Sequence, residues 1–354
     1  MAYGTPAQLY TSADLLDGYD PNDPMAFTKS WDFQTYRTYV ADGGTTPKTL
    51  DIHRAQADHD AHIADALKVF LDREPKPKLV GIMGGHSLKR SDEAYRAVAR
   101  LGRHLTQRGY LIVTGGGPGA MEAAHVGATF SAAGDAALED VLRELSTVAS
   151  LPKGMDDILK ETGEFGPNYE EIARQARLWL NKAIDVRKAA PKDSGESLAI
   201  PTWVYGSEPS TPFASVYAKY FQNSIREEAL VTQSRAGIVY AQGGGGTLRE
   251  VFEDTEQNYY AKTAADFTPM IFFDPDGFWQ RDATFDQAGA IVLRGLKLDD
   301  IIDKVFRYAG KPSATQKVKF TTDFNVIDSV LDAHAPAAQE NLAFALASPG
   351  TISV

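Results

Sequence analysis

Apolar and polar positions alternate in a regular order between residues 78 and 273. Short apolar runs, most of them followed by glycine, predict five strands, at Lys78–Met83, Tyr110–Thr114, Leu198–Tyr205, Ala236–Ala241 and Pro269–Phe273. Apolar residues at helical spacing predict helices between them, at Ser91–Arg108, from about Gly119, at Phe213–Thr232 and at Thr247–Tyr260. Strand, glycine turn and helix in repeated order predict an α/β fold, a Rossmann-like doubly wound parallel sheet with helices on both faces.

Three regions stand outside this alternation. Residues 1–76 form a predicted N-terminal arm, irregular through Gly43–Gly44 and then amphipathic at Leu50–Leu71. Residues 134–195 are interpreted as a helical insertion with a helix at Tyr169–Lys188 and no clear strand. Residues 311–354 are expected to be a C-terminal helical tail with one further strand-like run. The Rossmann-like domain is therefore expected over 77–310.

Composition excludes several classes of protein. The chain of 354 residues has no cysteine, which excludes disulfides, thiolate nucleophiles and cysteine metal sites. Its net charge of -11, without a dominant basic cluster, argues against a nucleic-acid partner. We find no signal peptide and no membrane-spanning stretch, so a cytoplasmic protein without a membrane partner is expected. His53, His59 and His62 are interpreted as a solvated helix face, and no metal site is predicted.

Two glycine-rich turns are candidates for binding an anion. Gln242–Thr247 joins a predicted strand to a predicted helix through four glycines, an arrangement that favours phosphate binding. The turn at 115–120 fits the loose dinucleotide fingerprint, but the following stretch predicts helix where that fingerprint needs a strand ending in an acid. No lysine follows the four glycines, so a Walker-type nucleotide site is not predicted.

Taken in order, three motifs resemble the lonely-guy (LOG) family, formerly mislabelled lysine decarboxylase. They are Gly84-Gly85-His86-Ser87, Gly115-Gly116-Gly117-Pro118-Gly119-Ala120-Met121-Glu122 and Gly243-Gly244-Gly245-Gly246-Thr247-Leu248-Arg249-Glu250. Arg90 and the segment 208–212 are closer to the bacterial pyrimidine/purine nucleotide 5′-monophosphate nucleosidase branch. Two positions depart from the pattern: Gln242 replaces the signature proline, and Glu227 follows Arg226 where short members commonly have lysine.

The resemblance implies an enzyme that hydrolyses the N-glycosidic bond of a nucleoside 5′-monophosphate without a cofactor. Glu250 and Arg226 are the expected catalytic residues, and Gly243, Gly244, Gly245, Gly246 and Thr247 are expected to bind the phosphate. Further nucleotide contacts are expected from Gly84, Gly85, His86, Ser87, Gly115, Gly116, Gly117, Met121, Glu208 and Asp254. The expected partners are an AMP-like small molecule and further copies of the chain, as a dimer or tetramer.

Alternatives remain open for each of these residues. Glu250 can equally be interpreted as a first-turn carboxylate that complements the helix dipole. Asp254 can be interpreted as a solvated surface acid, and His86 as a packing residue. Arg226 is also readable as a surface arginine paired with a neighbouring glutamate. At the level of the whole protein, the alternative to an enzyme is a non-catalytic nucleotide sensor on the same fold.

Overall fold

The computed structural model describes residues 3–206 and 208–334. Its helices are α1 Ser12–Leu15, α2 Ala26–Lys29, α3 Trp31–Ala41, α4 Leu50–Leu71, α5 Glu93–Gln107, α6 Ala120–Thr129, α7 Asp135–Ser146, α8 Tyr169–Arg187, α9 Asn223–Gln233, α10 Gly245–Tyr260, α11 Asp299–Tyr308 and α12 Ala314–Lys317. Its strands are β1 Lys78–Met83, β2 Tyr110–Thr114, β3 Ser197–Ala199, β4 Val216–Tyr217, β5 Gly237–Tyr240, β6 Met270–Phe273, β7 Thr284–Phe285, β8 Ile291–Leu293 and β9 Val318–Thr321. None of the helices in this part of the chain combines the length and apolarity needed to cross a bilayer.

The chain forms two compact units, the first made of Met1–Pro77 and His86–Leu230 and the second of Lys78–Gly85 and Val231–Val354. In both units the main-sheet strands run parallel and helices flank them, which is the α/β, Rossmann-like class that the sequence predicts. The predicted bounds of α4, β1 and β2 are confirmed residue for residue. Residues 335–354, the end of the predicted tail, lie outside the described residues.

The first unit contains the parallel pairs β2–β3 and β3–β4, with α5 and α6 packed together beside β2. Two glycines allow this close helix pairing. A Cβ on Gly102 would lie 2.5 Å from the Ala124 carbonyl oxygen, and one on Gly127 would clash with the Ala99 carbonyl oxygen. The turn after β2 leads directly into α6, so this packing fixes the position of that turn.

In the second unit, β5 pairs with β1 and β6, and β6 pairs with β9, all in parallel. The strand-like run expected after residue 310 is β9, which aligns Phe320 with Phe272 of β6. Their rings stack with centroids 4.4 Å apart. A separate antiparallel hairpin, β7–β8, lies between β6 and α11 in the sequence.

The N-terminal arm is helical where the sequence predicts irregular structure up to Gly43–Gly44. Short capped helices account for the error: Thr11 and Asp14 form a capping box on α1, and the Ser30 hydroxyl accepts from the Phe33 N–H of α3. Helices α1 and α2 have four residues each, too few to show an apolar period, and α3 has 11 residues of which only Phe33, Thr35 and Tyr39 are buried. His59 was also assigned wrongly to a solvated face, because its ring is buried between the Tyr10 hydroxyl and the Asp60 carboxylate.

Two further predictions around residue 200 are wrong in extent. The predicted strand Leu198–Tyr205 ends as β3 at Ala199, two residues before a proline that cannot donate to a ladder. The predicted helix Phe213–Thr232 begins ten residues late, as α9, and is preceded by β4. Phe213, Tyr217 and Phe221 imitate a helical period, but nearly all of this stretch is buried, so no single face is selected.

Candidate functional site

The glycine loop of the second unit, residues 242–247, connects β5 to α10. Helix α10 begins at Gly245, two residues earlier than predicted, and Gly244 is its N-cap. Gly244, Gly245 and Gly246 are exposed, whereas Thr247 is buried. The loop is tied to the end of β1, because the Gly85 N–H donates to the Gln242 carbonyl at 3.0 Å. Gly84, the preceding residue, is buried.

Only one of the four loop glycines is required by packing within the chain. A Cβ on Gly243 would lie 2.5 Å from the Thr247 Cβ and 3.0 Å from the Gly85 nitrogen. A Cβ on Gly244, Gly245 or Gly246 would meet no atom within 4 Å, and none of these residues has a positive φ. Inside a helix, glycine costs about 1 kcal/mol relative to alanine, which disfavours Gly245 and Gly246, whereas glycine is well tolerated at the N-cap position of Gly244. Neither crowding nor backbone conformation explains these three glycines.

Glu250 lies in the second turn of α10 because the helix begins at Gly245. The dipole effect is confined to the first turn, so the interpretation of Glu250 as a simple first-turn carboxylate is weakened. The side chain is also buried, with a residue exposure of 7%. A carboxylate removed from water about one turn from an exposed glycine loop is a candidate for chemistry.

Asp254 follows one turn later and is buried, so its interpretation as a solvated surface acid is wrong. The Tyr240 hydroxyl donates to its Oδ2 at 2.8 Å, and the Asn258 amide donates to its Oδ1 at 3.3 Å. Burial raises the pKa of Asp254 to about 7. The side chain thus connects α10 to β5, and a contact with ligand is a further prediction.

The glycine turn of the first unit, residues 115–119, is buried and differs from the loop before α10. Gly116 and Gly119 both have φ of +71°, a conformation that favours glycine. A Cβ on Gly117 would lie 2.8 Å from the Met121 methyl group. The Gly116 N–H donates to the Thr114 hydroxyl at 2.9 Å. Conformation and packing therefore explain glycine here, and the Gly116 N–H is already used.

Arg226, on α9, is buried at 6% exposure and reaches this turn. Its Nε donates to the Ile200 carbonyl at 3.1 Å, and a Cβ on Gly115 would clash with its guanidinium. The Glu227 carboxylate lies 3.7 Å away, so the pairing with a neighbour is present but buried rather than on the surface. The first unit thus places Arg226 against the glycine turn that follows β2.

His86 and Glu208 form an ion pair, with the histidine Nδ1 2.8 Å from the glutamate Oε1. The hydrogen bond that His86 donates to Glu208 is the main reason that the pKa of His86 is raised above its ordinary value. His86 is about half exposed, so its interpretation as a packing residue is wrong, and Ser87 beside it is exposed. Glu208 also approaches the position that a Cβ on Gly117 would take, at 3.6 Å.

A buried charge network that sequence reasoning missed lies behind the β2 turn. Arg90 makes two 2.8 Å bonds to the Glu122 carboxylate, and the Tyr95 hydroxyl donates to the same group at 2.9 Å. The Arg90 guanidinium also lies 4.1 Å from the centroid of the Trp179 ring. These contacts hold α6 against α5 and α8, so Arg90 and Glu122 are structural residues.

The structure therefore divides the predicted residues between the two units. In the first unit it brings together Arg226, Gly115, Gly116, Gly117 and Met121, with the pair His86–Glu208 and Ser87 at the rim. In the second unit Glu250, Asp254 and the loop 243–247 share one helix start, with Gly84 and Gly85 beside the loop.

Comparison with known proteins gives a partial assignment. The family model described as "LDcluster4: SLOG cluster4 family" matches residues 77–135. That segment holds the first two of the three motifs, and the superfamily of this model includes LOG-like proteins. No curated protein matches the chain.

Two solved structures are similar in part. One is the molybdenum cofactor binding protein from the phototrophic bacterium Rippkaea orientalis, with 12% identity, 73% of this chain and 98% of that chain covered, and a TM-score of 0.38. The other is the Moco Carrier Protein from Chlamydomonas reinhardtii, with 13% identity and a TM-score of 0.34. The match covers 76% of this chain and 98% of that chain.

Proposed function

We propose that this chain binds a nucleoside 5′-monophosphate through the loop before α10 and hydrolyses its N-glycosidic bond. The three exposed glycines at the start of that helix are the observation that carries the proposal. Neither φ nor packing within the chain requires them. A ligand that approaches the backbone closely supplies a reason, because a side chain at these positions would shield the N–H groups.

Phosphate is the ligand group that this position suits best. The first N–H groups of a helix have no partner within the helix and carry the positive end of its dipole. Gly245 and Gly246 present this backbone without side chains, and the Thr247 hydroxyl lies in the same turn. The motif resemblance to the LOG family points to the same group.

We assign to Glu250 the role of acting on the sugar of such a ligand. Five residues separate it from Gly245, a rise of about 7.5 Å along the helix axis, which is the scale of a nucleotide's phosphate-to-C1′ span. A carboxylate there stabilises the positive charge that develops on the ribose and accepts a proton from water. The base–C1′ bond breaks, the water oxygen bonds to C1′, and the leaving base takes up a proton.

A product assay tests this proposal directly. The purified full-length protein is incubated with AMP, GMP, CMP, UMP and IMP, and free base and ribose 5-phosphate are separated by chromatography. We expect release from at least one nucleotide, and loss of turnover in Glu250→Gln with the melting temperature preserved. Glu256→Gln, an exposed glutamate on the same helix, is the matched control and should keep full activity.

Binding measured in the same samples separates an enzyme from a nucleotide sensor. Glu250→Gln should still bind the nucleotide if the carboxylate acts in chemistry. Arg226→Gln is expected to reduce turnover as well, as the resemblance implies. Tight nucleotide binding without product in the wild-type protein would overturn hydrolysis in favour of a sensor. Absence of both binding and product would overturn the phosphate loop itself.

A further inference from the structure

A cavity in the first unit has no role in the reaction proposed above. We call it the arm cavity. One wall comes from α1 to α3 of the N-terminal arm, including Leu16, Asp32 and Tyr36, and the other comes from residues within 202–206 and 208–219. The arm lies outside the three motifs that resemble the LOG family. The other wall includes Glu208, an expected nucleotide contact, so only the arm side of the cavity lies where the motifs imply no function.

A buried lysine forms the polar end of the arm cavity. Lys219 is 3% exposed, and its Nζ donates to Asp32 Oδ1 at 2.6 Å and to the Ser210 hydroxyl at 2.9 Å. It also lies 5.0 Å from the centroid of the Trp203 ring. Burial lowers the pKa of Lys219, and Asp32 opposes that change. The positive and negative charges of this pair cancel.

The Asp32 carboxylate retains an unused acceptor. The Trp203 indole N–H donates at 2.8 Å to Oδ1, the same oxygen that Lys219 uses. Within residues 3–206 and 208–334, no group donates a hydrogen bond to Oδ2. The side chain is 15% exposed, so this oxygen is not sealed in the interior. An acceptor of this kind selects a ligand that carries an N–H or O–H donor.

Aromatic rings form the remaining walls. Phe33, Tyr36 and Trp203 line the arm cavity, and Tyr36 brings a hydroxyl group to its wall. Flat apolar walls with a few polar groups are typical of sites for small planar ligands. Glu208 also lines the cavity, but its carboxylate is paired with His86 as Asp32 is with Lys219, so a charged ligand would lack a free counter-charge here.

We propose that the arm cavity binds a planar, uncharged nitrogen heterocycle that presents an N–H or amino donor to Asp32. Free nucleobases have this chemistry. The inference does not depend on hydrolysis, since a binding protein could use the cavity equally well. It assigns the N-terminal arm a function as one wall of a ligand site.

Calorimetric titration of the full chain with adenine, cytosine and hypoxanthine tests the proposal. The comparison ligand is 6-dimethylamino-9-methylpurine, a similar ring without N–H donors. We expect binding of at least one base, and binding of the comparison ligand weaker than adenine by about tenfold, the effect of one lost hydrogen bond to a charged group. Equal binding of the two purines would overturn the role of Asp32.

Matched variants locate the site. Leu16→Phe places a larger side chain in the cavity and should abolish binding, whereas Leu178→Phe on the exposed face of α8 should not. Tyr36→Phe should weaken binding by about three- to tenfold. Tyr39→Phe removes a hydroxyl from the same helix outside the cavity and should leave binding unchanged. If Leu16→Phe does not fold, the tyrosine pair decides the question.

The outcomes distinguish this inference from the proposed function. Base binding that survives in Glu250→Gln and disappears in Leu16→Phe supports the arm cavity, whatever the product assay shows. Absence of base binding, or equal affinity in Leu16→Phe and wild type, overturns it. In that case, release of base from a nucleotide would still support hydrolysis.

Discussion

Replacing Gly246 by alanine should stabilise the protein and weaken its binding of phosphate. Gly246 lies in the first turn of α10, its φ is not positive, and a Cβ would meet no atom within 4 Å. Alanine favours the helix more than glycine does and has fewer conformations in the unfolded chain. Together these effects should stabilise the folded protein by about 0.5–1 kcal/mol. The melting temperature should rise by about 2 °C. The added methyl group should obstruct the approach of phosphate and reduce affinity for AMP by about tenfold.

Calorimetry of melting and titration with AMP measure the two effects on the same sample. Gly134→Ala is the matched control, since Gly134 is an exposed N-cap glycine of α7 with equal free space. It should leave AMP binding unchanged and give no stabilisation, because alanine is a poorer N-cap than glycine. A Gly246→Ala protein that is more stable and binds AMP as tightly as wild type would refute the assignment of phosphate to this loop. A destabilised variant would refute the structural argument.

Three further predictions concern the buried and paired charges. Arg90→Met should destabilise the fold by about 3–5 kcal/mol in urea denaturation, because it leaves Glu122 buried without its partner; a loss below about 1 kcal/mol contradicts this. Folded Asp254 keeps its proton to about pH 7, whereas the unfolded chain releases it near pH 4, so its contribution to stability falls as pH rises through that window. The free energy of unfolding of Asp254→Asn should therefore rise by about 2–3 kcal/mol relative to that of wild type between pH 5 and 8. Denaturation curves that give the same difference between the two proteins at every pH would contradict this. Glu208→Gln should lower the pKa of His86 in an NMR titration, and an unchanged value would show that the pair does not form in solution.

Much of the parallel sheet could be predicted because its strands are short apolar runs with clear ends. The strand Lys78–Met83 is followed by Gly84, and Tyr110–Thr114 is followed by Gly115. The end of each apolar run therefore marks the end of the strand. The long amphipathic helix Leu50–Leu71 is equally clear. The helix predicted from Phe213 was wrong because residues up to Phe221 are nearly all buried. Such burial removes the alternation of apolar and polar positions that distinguishes a helix from a strand.

The contacts of the candidate site were less predictable than its motifs. The strand, the glycines and the helix around residues 242–247 follow one another directly in the sequence, so this motif can be predicted from one short segment. Lys219 and Asp32 are separated by 187 positions, and neither residue's neighbours show that both are buried. Glu122 lies within a motif and Arg90 lies three residues after one, yet their bidentate contact depends on how the elements around them pack. The sequence can single out such residues, but the contacts between them are determined by the fold.

The close packing of α5 and α6 has a consequence for how the chain folds. The segment 93–129 contains α5, β2 and α6 in succession, and its contacts join residues that are near one another in sequence. Such contacts close short loops and lose little chain entropy, so they form early in folding. Gly102 and Gly127, which permit this approach, thus belong to a local nucleus, and substitutions there should slow folding more than they speed unfolding.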